Sequence, residues 1–261
     1  MEESFLIVNR FGEKLKTLLR KPKEQGRFPA VLFVSGFGMD LHEYINSNDE
    51  ISKRLVKNRF ITLQFSFAGC GKSEGNYNEM TIQRQADQVE DVIAGLKKNN
   101  DVDVEQIGLH ATSFGVPSSI ATDLSDIASM CLVAGAFYPG RSLRRVFIEE
   151  RGVVINQDGE TALPRSSGQQ TKVGKDFWKS IDAFDPKKYT KKLNQPVLVI
   201  HGDQDTKIST PDMKKAFGSI ASKKKKLKIF KGGDHGITDV PRKKREEFLN
   251  EVVEWFKLTC K

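Results

Sequence analysis

The sequence has few cysteines and no long apolar run. Cys70, Cys131 and Cys260 are too few and too scattered for a disulfide framework or a CxxC metal knuckle, and free thiols fit a reducing compartment. No apolar stretch approaches the roughly 20 residues that a membrane span requires. The first residues lack the basic start and apolar stretch of a secretory signal. These absences predict a soluble protein of the cytoplasm.

Signatures of metal, nucleotide and nucleic-acid binding are also missing. Gly71-Lys72-Ser73 lacks the earlier glycine that a phosphate-binding loop carries at the required spacing. No metal-ligand pattern occurs, so no cofactor is predicted. Lys and Arg exceed Asp and Glu by 8, and residues 223–226 are all lysine, but no aromatic residues interleave with them. We interpret this run as a solvated face and expect no nucleic-acid partner.

Short apolar segments alternate with helical patterns along most of the 261 residues. This alternation predicts an α/β fold with a mostly parallel central sheet flanked by helices. An antiparallel hairpin is predicted at the sheet edge from residues 5–8 and 15–21. The predicted core strands comprise residues 30–35, 60–65, 107–111, 130–136, 197–201 and 227–231.

Two helices and one insertion complete the predicted organisation. Apolar residues recur at helical spacing over residues 81–98, with Thr81 as the N-cap, and over residues 241–260, the closing helix. Residues 139–195 contain no convincing core strand and are predicted to form a lid inserted into a core of residues 1–138 and 196–261. Within the lid we expect a hairpin that starts at residues 153–156 and a helix over residues 177–184.

The strongest local motif is Ala111-Thr112-Ser113-Phe114-Gly115, between a predicted strand and a predicted helix. This pattern is typical of a nucleophile elbow, in which a strained turn projects a serine hydroxyl at the edge of the sheet. The residues two before and two after the serine must be small, and Ala111 satisfies that limit. Ser113 is therefore the candidate nucleophile.

A serine hydroxyl needs a base, and the sequence has four histidines. His110 and His201 lie in or beside predicted core strands, and His42 lies in a helix-like stretch. His235 follows the last strand, in the loop Gly232-Gly233-Asp234-His235-Gly236, whose glycines permit a side chain to reach over the sheet edge. His235 is the candidate base.

The base needs an acid that holds its tautomer. Asp205 follows the strand at residues 197–201 and is the preferred candidate, with Asp203 as its rival and Asp234 as a weaker one. The resulting order of serine, acid and histidine along the chain is the order of enzymes with a nucleophile elbow.

Ser35-Gly36-Phe37-Gly38 follows the first buried strand and fits an oxyanion hole. Its glycines allow a tight turn that aims the backbone N–H of Phe37 at the same point as the N–H of Phe114. Such donors stabilise the negative charge of a tetrahedral intermediate.

These motifs together resemble the α/β-hydrolase superfamily over essentially the whole chain. Residues 66–75 resemble the D-x-x-G-x-G-x-S loop of that superfamily, with Ser66 in place of Asp, and residues 201–205 resemble its HGxxD acid motif. The chain is also similar to lidded feruloyl or cinnamoyl esterases and to serine aminopeptidase-like (monoacylglycerol lipase-like) hydrolases. Ser35 and Ala111 depart from the usual His and Gly, which bears on substrate range more than on activity.

The resemblance implies a carboxylic ester hydrolase that acts on a small-molecule ester, with a lid whose Phe147, Phe177 or Trp178 forms apolar pocket walls. An aminopeptidase or a thioesterase would use the same three side chains, and Glu149, Glu150, Asp158 and Glu160 keep an amine-binding lid open as an alternative. A third reading is an inactive hydrolase scaffold that serves as a binding protein. The oligomeric state is not predicted.

Overall fold

The structure, a computed structural model, describes residues 1–165, 168 and 170–260. Short 3-10 turns at Tyr44–Asn46 and Tyr77–Glu79 and a π-helical turn at Arg145–Glu149 accompany the regular elements. In chain order these elements are β1 (Glu2–Glu3), β2 (Leu6–Val8), β3 (Lys14–Arg20), β4 (Phe28–Val34), α1 (Ser47–Lys57), β5 (Ile61–Phe65), α2 (Ile82–Lys97), β6 (Val102–Thr112), α3 (Gly115–Ala121), β7 (Ile127–Val133), α4 (Pro139–Arg144), β8 (Thr161–Pro164), β9 (Gln170–Val173), α5 (Lys175–Asp182), α6 (Pro186–Thr190), β10 (Val197–Gly202), α7 (Thr210–Ser219), β11 (Lys225–Phe230) and α8 (Arg242–Thr259).

Among the described residues, nine strands form one sheet in the order β1-β3-β5-β4-β6-β7-β10-β11, with β2 paired to β3. All neighbours from β5 to β11 are parallel, whereas β1, β2 and β5 run antiparallel to β3. The predicted mostly parallel sheet and the predicted hairpin at its N-terminal end are confirmed. The carboxyl ends of the parallel strands therefore meet at one edge of the sheet.

The central strands are covered on both faces. In β4, Leu32 and Val34 point into one apolar cluster, whereas Val31 and Phe33 point into another. This alternation is the two-residue period of a strand. Helices α2 and α3 pack on the first face, and α1 and α8 pack on the second.

The two helices with the clearest periodicity form as predicted. The side chain of Thr81 accepts a hydrogen bond from the backbone N–H of Arg84 at 3.0 Å and caps α2. The closing helix α8 starts directly after Pro241. In contrast, α1 was not predicted, because its buried face includes the polar residues Asn48, Asp49 and Ser52. Its sequence therefore carries little apolar periodicity.

Residues 139–195 join the adjacent parallel strands β7 and β10 and contain α4, α5, α6 and the antiparallel pair β8–β9. The predicted helix is present as α5. The predicted hairpin position at residues 153–156 is wrong, since the pair lies further along the chain. Val154 is 87% exposed, whereas Leu163 of β8 and Val173 of β9 are fully buried. The hairpin thus forms where its apolar side chains reach the core.

The lysine run overlaps the last strand, because β11 begins at Lys225 rather than after the run. The Lys225 ammonium donates to the carbonyls of Phe217 and Ile220, at 3.1 and 2.7 Å, at the end of α7. Lys226 pairs with Glu251 of α8. In the described part of the chain, no helix combines the length and the apolar character needed to cross a membrane.

Candidate active site

Ser113 lies in the turn between β6 and α3, at the carboxyl edge of the sheet. Its φ is 54°, in the left-handed region that strains a residue with a side chain. The turn is tight, since a Cβ on Gly115 would lie 2.6 Å from the carbonyl oxygen of Val34. Only glycine fits at that position, whereas the methyl group of Ala111 is accommodated and fully buried.

The side chains of Ser113, His235 and Asp205 form a continuous hydrogen-bonded chain. His235 Nε2 lies 3.0 Å from Ser113 Oγ, and His235 Nδ1 lies 2.8 Å from Asp205 Oδ2. The three residues follow β6, β11 and β10, so three separate strand ends supply them. The loop that carries His235 turns at Gly232 and Gly236, with φ values of 69° and 84°.

Asp205 is a buried carboxylate with several donors. Its Oδ1 accepts the backbone N–H groups of Lys207 and Ile208, at 2.8 and 2.9 Å, while Oδ2 faces His235. Burial opposes its ionisation, but the hydrogen bond and charge of His235 and the Ile208 N–H outweigh it, so the pKa of Asp205 lies below its ordinary value. The carboxylate is thus held ionised and in a single orientation beside the imidazole.

The two rival acids have other partners. Asp203 Oδ1 accepts the backbone N–H of Gly232 at 2.5 Å and anchors the start of the loop that carries His235. Asp234 accepts the backbone N–H and the hydroxyl of Thr238, at 2.6 and 2.5 Å. Asp205 is therefore the one of the three candidates whose carboxylate contacts the imidazole.

The remaining histidines lie apart from Ser113 Oγ. His42 Nδ1 lies 2.6 Å from Asp49 Oδ2. His110 and His201 are buried, and within the described residues their ring nitrogens have no hydrogen-bond partner. Burial lowers the pKa of His110 to about 3 and also lowers that of His201. His201 Nδ1 is nevertheless 3.9 Å from Asp205 Oδ2, so a neutral imidazole lies next to the carboxylate.

Residues 35–38, which we call the oxyanion loop after the role predicted for them, are held by two side chains that sequence reasoning missed. The Gly36 N–H donates to Glu43 Oε2 at 2.5 Å, and the Gly38 N–H donates to Tyr77 Oη at 2.8 Å. The N–H between them, on Phe37, has no protein acceptor in the described part of the chain, and neither has the N–H of Phe114. Both residues are buried, and an unpaired buried N–H group is costly, so these two donors suit an oxygen atom of a bound molecule.

Glu43 brings a second carboxyl group close to Ser113. A Cβ built on Gly36 would lie 3.2 Å from Ser113 Cβ and 3.5 Å from Glu43 Oε2. Burial raises the pKa of Glu43 above its ordinary value, against the lowering effects of the Gly36 and Tyr44 N–H groups and of nearby His235 and Arg165. Glu43 belongs to no sequence motif, because its contact with Gly36 depends on how the chain turns between these two residues.

Comparison with known proteins identifies the fold. No family model and no curated protein matches the chain. Among solved structures it is similar to Est1E from Butyrivibrio proteoclasticus with bound ferulic acid (22% identity, TM-score 0.80, covering 98% of this chain and 99% of that one). It is also similar to the α/β hydrolase GrgF from Penicillium sp. sh18 (20%, TM-score 0.80, 100% and 99%) and to the Pyrococcus furiosus esterase Pf2001 (16%, TM-score 0.76, 100% and 92%). The chain has the α/β-hydrolase fold.

In this α/β-hydrolase fold, aromatic side chains of the segment 139–195 pack against the oxyanion loop. The Phe37 ring lies 5.8 Å from that of Phe147, 5.6 Å from that of Phe177 and 5.7 Å from that of Phe114. We call this group the aromatic cluster, and its members are Phe37, Tyr77, Phe114, Phe147, Phe177 and Trp178. All are buried. Of the three residues expected as pocket walls, Phe177 lies against both Phe37 and Phe114, Phe147 lies against Phe37, and Trp178 packs on Phe177.

The α/β-hydrolase core offers no obvious metal site in the part that is described. Among those residues, no group of three or more His, Cys, Asp or Glu side chains is arranged to hold a metal ion. Cys70, Cys131 and Cys260 are free and buried.

Proposed function

We propose that this protein is a serine carboxylic ester hydrolase that works through an acyl-enzyme. One observation carries the proposal. The hydroxyl of Ser113, the imidazole of His235 and the carboxylate of Asp205 are linked at 3.0 and 2.8 Å, near the N–H groups of two buried residues that find no acceptor among the described residues. This arrangement supports acyl transfer, because it combines a nucleophile, a base, an orienting acid and oxyanion donors.

In the first half-reaction, His235 Nε2 accepts the proton of Ser113 while Ser113 Oγ attacks the ester carbonyl carbon. The carbonyl oxygen becomes an oxyanion and accepts hydrogen bonds from the N–H groups of Phe37 and Phe114. Each such donor is worth about 3 to 4 kcal/mol in the transition state. When the intermediate collapses, the imidazolium returns the proton to the leaving alcohol, and Ser113 is left acylated.

In the second half-reaction, His235 takes a proton from water, and the resulting nucleophile attacks the acyl-enzyme. Asp205 holds the imidazole in the tautomer with the proton on Nδ1 and stabilises the imidazolium in both halves. The reaction therefore needs water as its only co-substrate, and the proposal includes no metal or cofactor.

The aromatic cluster supports a substrate with a small to medium acyl group, aromatic or of medium chain length. A site lined by aromatic side chains favours a ligand with apolar surface to bury. We propose that residues 139–195 act as a lid and that Phe147, Phe177 and Trp178 contact the acyl group. The likeness in fold to Est1E with ferulic acid makes hydroxycinnamoyl esters the first aromatic esters to test.

Covalent labelling tests the nucleophile directly. We expect a fluorophosphonate to add one adduct to the wild-type protein, located at Ser113 by peptide mass spectrometry. Ser113→Ala should lose the adduct, whereas Ser125→Ala, which changes an exposed serine after α3, should keep it. A folded wild-type protein that takes no label would defeat the enzyme proposal and favour an inactive scaffold.

A substrate panel tests the ester specificity. We expect the protein to hydrolyse 4-nitrophenyl esters, and the kcat/KM values for short-chain, long-chain and hydroxycinnamoyl esters to differ from one another. The kcat/KM should be lower for an aminoacyl 4-nitroanilide and for an acyl thioester of equal length. A higher kcat/KM for the anilide or the thioester would instead identify an aminopeptidase or a thioesterase.

We also propose a cytoplasmic location and a small-molecule substrate without a nucleic-acid partner. The three free, buried cysteines support the location. The pairing of Lys226 with Glu251 and of Lys228 with Glu247 supports the second point, because these lysines already have protein partners.

A further inference from the structure

Arg165 lies beside the oxyanion loop. It directly follows β8, and its guanidinium carbon is 5.4 Å from the centre of the Phe37 ring. One of its terminal nitrogens, Nη1, lies 3.2 Å from the position that a Cβ on Gly38 would occupy. A cationic group from residues 139–195 is thus placed next to the residue whose N–H is a proposed oxyanion donor.

The guanidinium of Arg165 meets few hydrogen-bond acceptors in the part of the chain that the structure describes. Three other arginines of residues 139–195, Arg141, Arg144 and Arg145, each pair with a carboxylate. Arg165, in contrast, has one hydrogen-bond acceptor among the described residues, the sulfur of Met39 at 3.2 Å. A thioether is a weak acceptor, whereas a guanidinium has five N–H groups. Most of these donors therefore have no acceptor among the described residues and can serve a ligand.

A cavity of about 210 Å³ lies between the oxyanion loop and β9, and one of the residues that line it is Gly38, which the Arg165 guanidinium approaches. Thr171 Oγ1, which belongs to the cavity lining, lies 3.3 Å from the same Gly38 position that Arg165 approaches, so both side chains lie beside this glycine. Among the described residues that line the cavity, none is acidic. They are Gly38, Gly69, Cys70, Gly75, Asn76, Tyr77, Gln170, Thr171 and Lys172.

The positive charge of Arg165 reaches the buried groups around this cavity. Burial raises the pKa of the Cys70 thiol to about 12 and also raises the pKa of the Tyr77 hydroxyl, while Arg165 opposes both shifts. Both groups stay neutral at physiological pH, so neither compensates the guanidinium, although the carboxyl groups of Asp40 and Glu43 also act on the Cys70 thiol and raise its pKa. A cation in partly desolvated surroundings favours an anionic ligand.

We propose that Arg165 binds a carboxylate of the substrate, so that the preferred substrates are esters that carry a second, ionised carboxyl group. This inference rests on the proposed function, since it places the ester carbonyl at Ser113. The substrate chain then passes the Phe37 ring, and its carboxylate enters the cavity beside Gly38. The planar guanidinium suits a carboxylate because it can donate two parallel hydrogen bonds to it.

A matched pair of substrates tests the inference. Mono-4-nitrophenyl adipate and its methyl ester have the same acyl chain and leaving group, and they differ in one charge. A six-carbon diacid is chosen because shorter chains bring the carboxylate close enough to catalyse its own ester cleavage. For Arg165→Met, we expect the ratio of kcat/KM for the anionic ester to that for the neutral ester to fall about 10- to 100-fold. Most of the change should be in KM, and Arg165→Lys should retain part of the ratio.

Arg151 provides the matched control. It also belongs to residues 139–195, and its guanidinium lies 5.2 Å from the Phe147 ring of the aromatic cluster, but it donates to the carbonyl of Pro164 and is exposed. Arg151→Met removes the same charge and should leave the ratio unchanged. An unchanged ratio in Arg165→Met, or an equal fall in Arg151→Met, would overturn the inference.

A binding measurement separates this inference from the proposed function. In Ser113→Ala, isothermal titration calorimetry should show that monomethyl adipate binds more tightly than dimethyl adipate, and Arg165→Met in the same background should abolish the difference. If wild-type protein hydrolyses neither ester, the proposed function fails, and the calorimetry still decides the role of Arg165. Equal affinities of the two ligands for Ser113→Ala would contradict the anion site even in an active esterase.

Discussion

At the scale of single residues, the candidate site depends on how each carboxyl group is bonded. Asp205 has both oxygens occupied, one by backbone N–H groups and one by His235. Glu43 binds the oxyanion loop through the N–H of Gly36 and is buried without a cationic partner at contact distance among the described residues. The first carboxyl is held ionised, whereas burial of the second favours its protonated form.

Asp205→Asn should reduce kcat by about 10⁴-fold. The backbone N–H groups of Lys207 and Ile208 require the amide oxygen of the new side chain, so its NH₂ group would face His235 Nδ1. The imidazole would then carry its proton on Nε2 and could not accept the proton of Ser113. Steady-state hydrolysis of a 4-nitrophenyl ester measures the loss.

Asp203→Asn is the matched control, because Asp203 binds the Gly232 N–H and does not contact the imidazole. Its amide oxygen can accept the same hydrogen bond, so the variant should keep most of the wild-type kcat. A larger loss in Asp203→Asn than in Asp205→Asn would show that the acid has been assigned to the wrong residue.

The stability of Glu43→Gln relative to that of the wild type should increase as the pH rises. A glutamine oxygen can still accept the Gly36 N–H, and it buries no charge. Because the pKa of Glu43 is raised on folding, its contribution to wild-type stability is fully present below the ordinary glutamate pKa of about 4.3 and is lost as the pH rises through the folded-state value. Urea unfolding between pH 4 and pH 8 tests this.

Glu74 should show the opposite dependence of stability on pH. Its pKa is lowered, mainly by the backbone N–H of Lys14, so its contribution is present above the ordinary pKa and is lost as the pH falls. Glu74→Gln should therefore become less stable than wild type as the pH rises. The same slope in both variants would contradict the assignment of these two environments.

At the scale of secondary-structure elements, the contact between α3 and β4 determines the geometry of the site. The first residue of α3, Gly115, would place a Cβ 2.6 Å from the carbonyl oxygen of Val34 and 2.7 Å from that of Ser35. The end of β4, the oxyanion loop and the elbow therefore form one closely packed unit. A shift of α3 would move Ser113 and the Phe114 N–H together.

Gly115→Ala should lower both stability and activity, because backbone atoms cannot yield to the new methyl group. We expect the free energy of unfolding to fall by several kcal/mol, on the order of the effect of overpacking a core, and the rate of fluorophosphonate labelling to fall with it. The control is Gly218→Ala in α7, where a Cβ would meet nothing within 4 Å. That variant should gain up to about 1 kcal/mol from helix propensity. Equal effects of the two variants would argue against close packing at the elbow.

At the scale of the whole molecule, the aromatic cluster joins residues 139–195 to the sheet edge. Phe177 is fully buried and contacts Phe37 and Phe114, which are distant in sequence, as well as Trp178. The segment is thus packed into the same core as the strands. Its structure and that of the oxyanion loop depend on each other.

Phe177→Ala should lower the free energy of unfolding by about 3 to 5 kcal/mol, since it leaves a cavity in a core that includes both parts. Chemical denaturation followed by tryptophan fluorescence measures the change, because Trp178 adjoins the substituted ring. Phe11→Ala, at a ring that is 41% exposed, is the control and should cost far less. A small loss in Phe177→Ala would mean that residues 139–195 contribute little to global stability.

The sequence by itself determined the parts that local patterns encode. Helix periodicity with a capping threonine predicted α2, and apolar runs predicted the parallel strands. Small residues and glycines at strand ends selected Ser113, Asp205 and His235, whose side chains lie within hydrogen-bonding distance in the structure. Their catalytic roles stay predictions. Such patterns are readable because each depends on a few consecutive residues and on the strand before them.

Only the tertiary structure decided which side chains surround those three. Glu43, Tyr77 and Arg165 reach the oxyanion loop from three different segments, and none of them belongs to a motif. The true position of the hairpin in residues 139–195 likewise followed from burial of Leu163 and Val173 rather than from a turn signal. The physical reason is the same in each case. These contacts join residues that are far apart in the chain, so their energies depend on packing that no short segment of sequence contains.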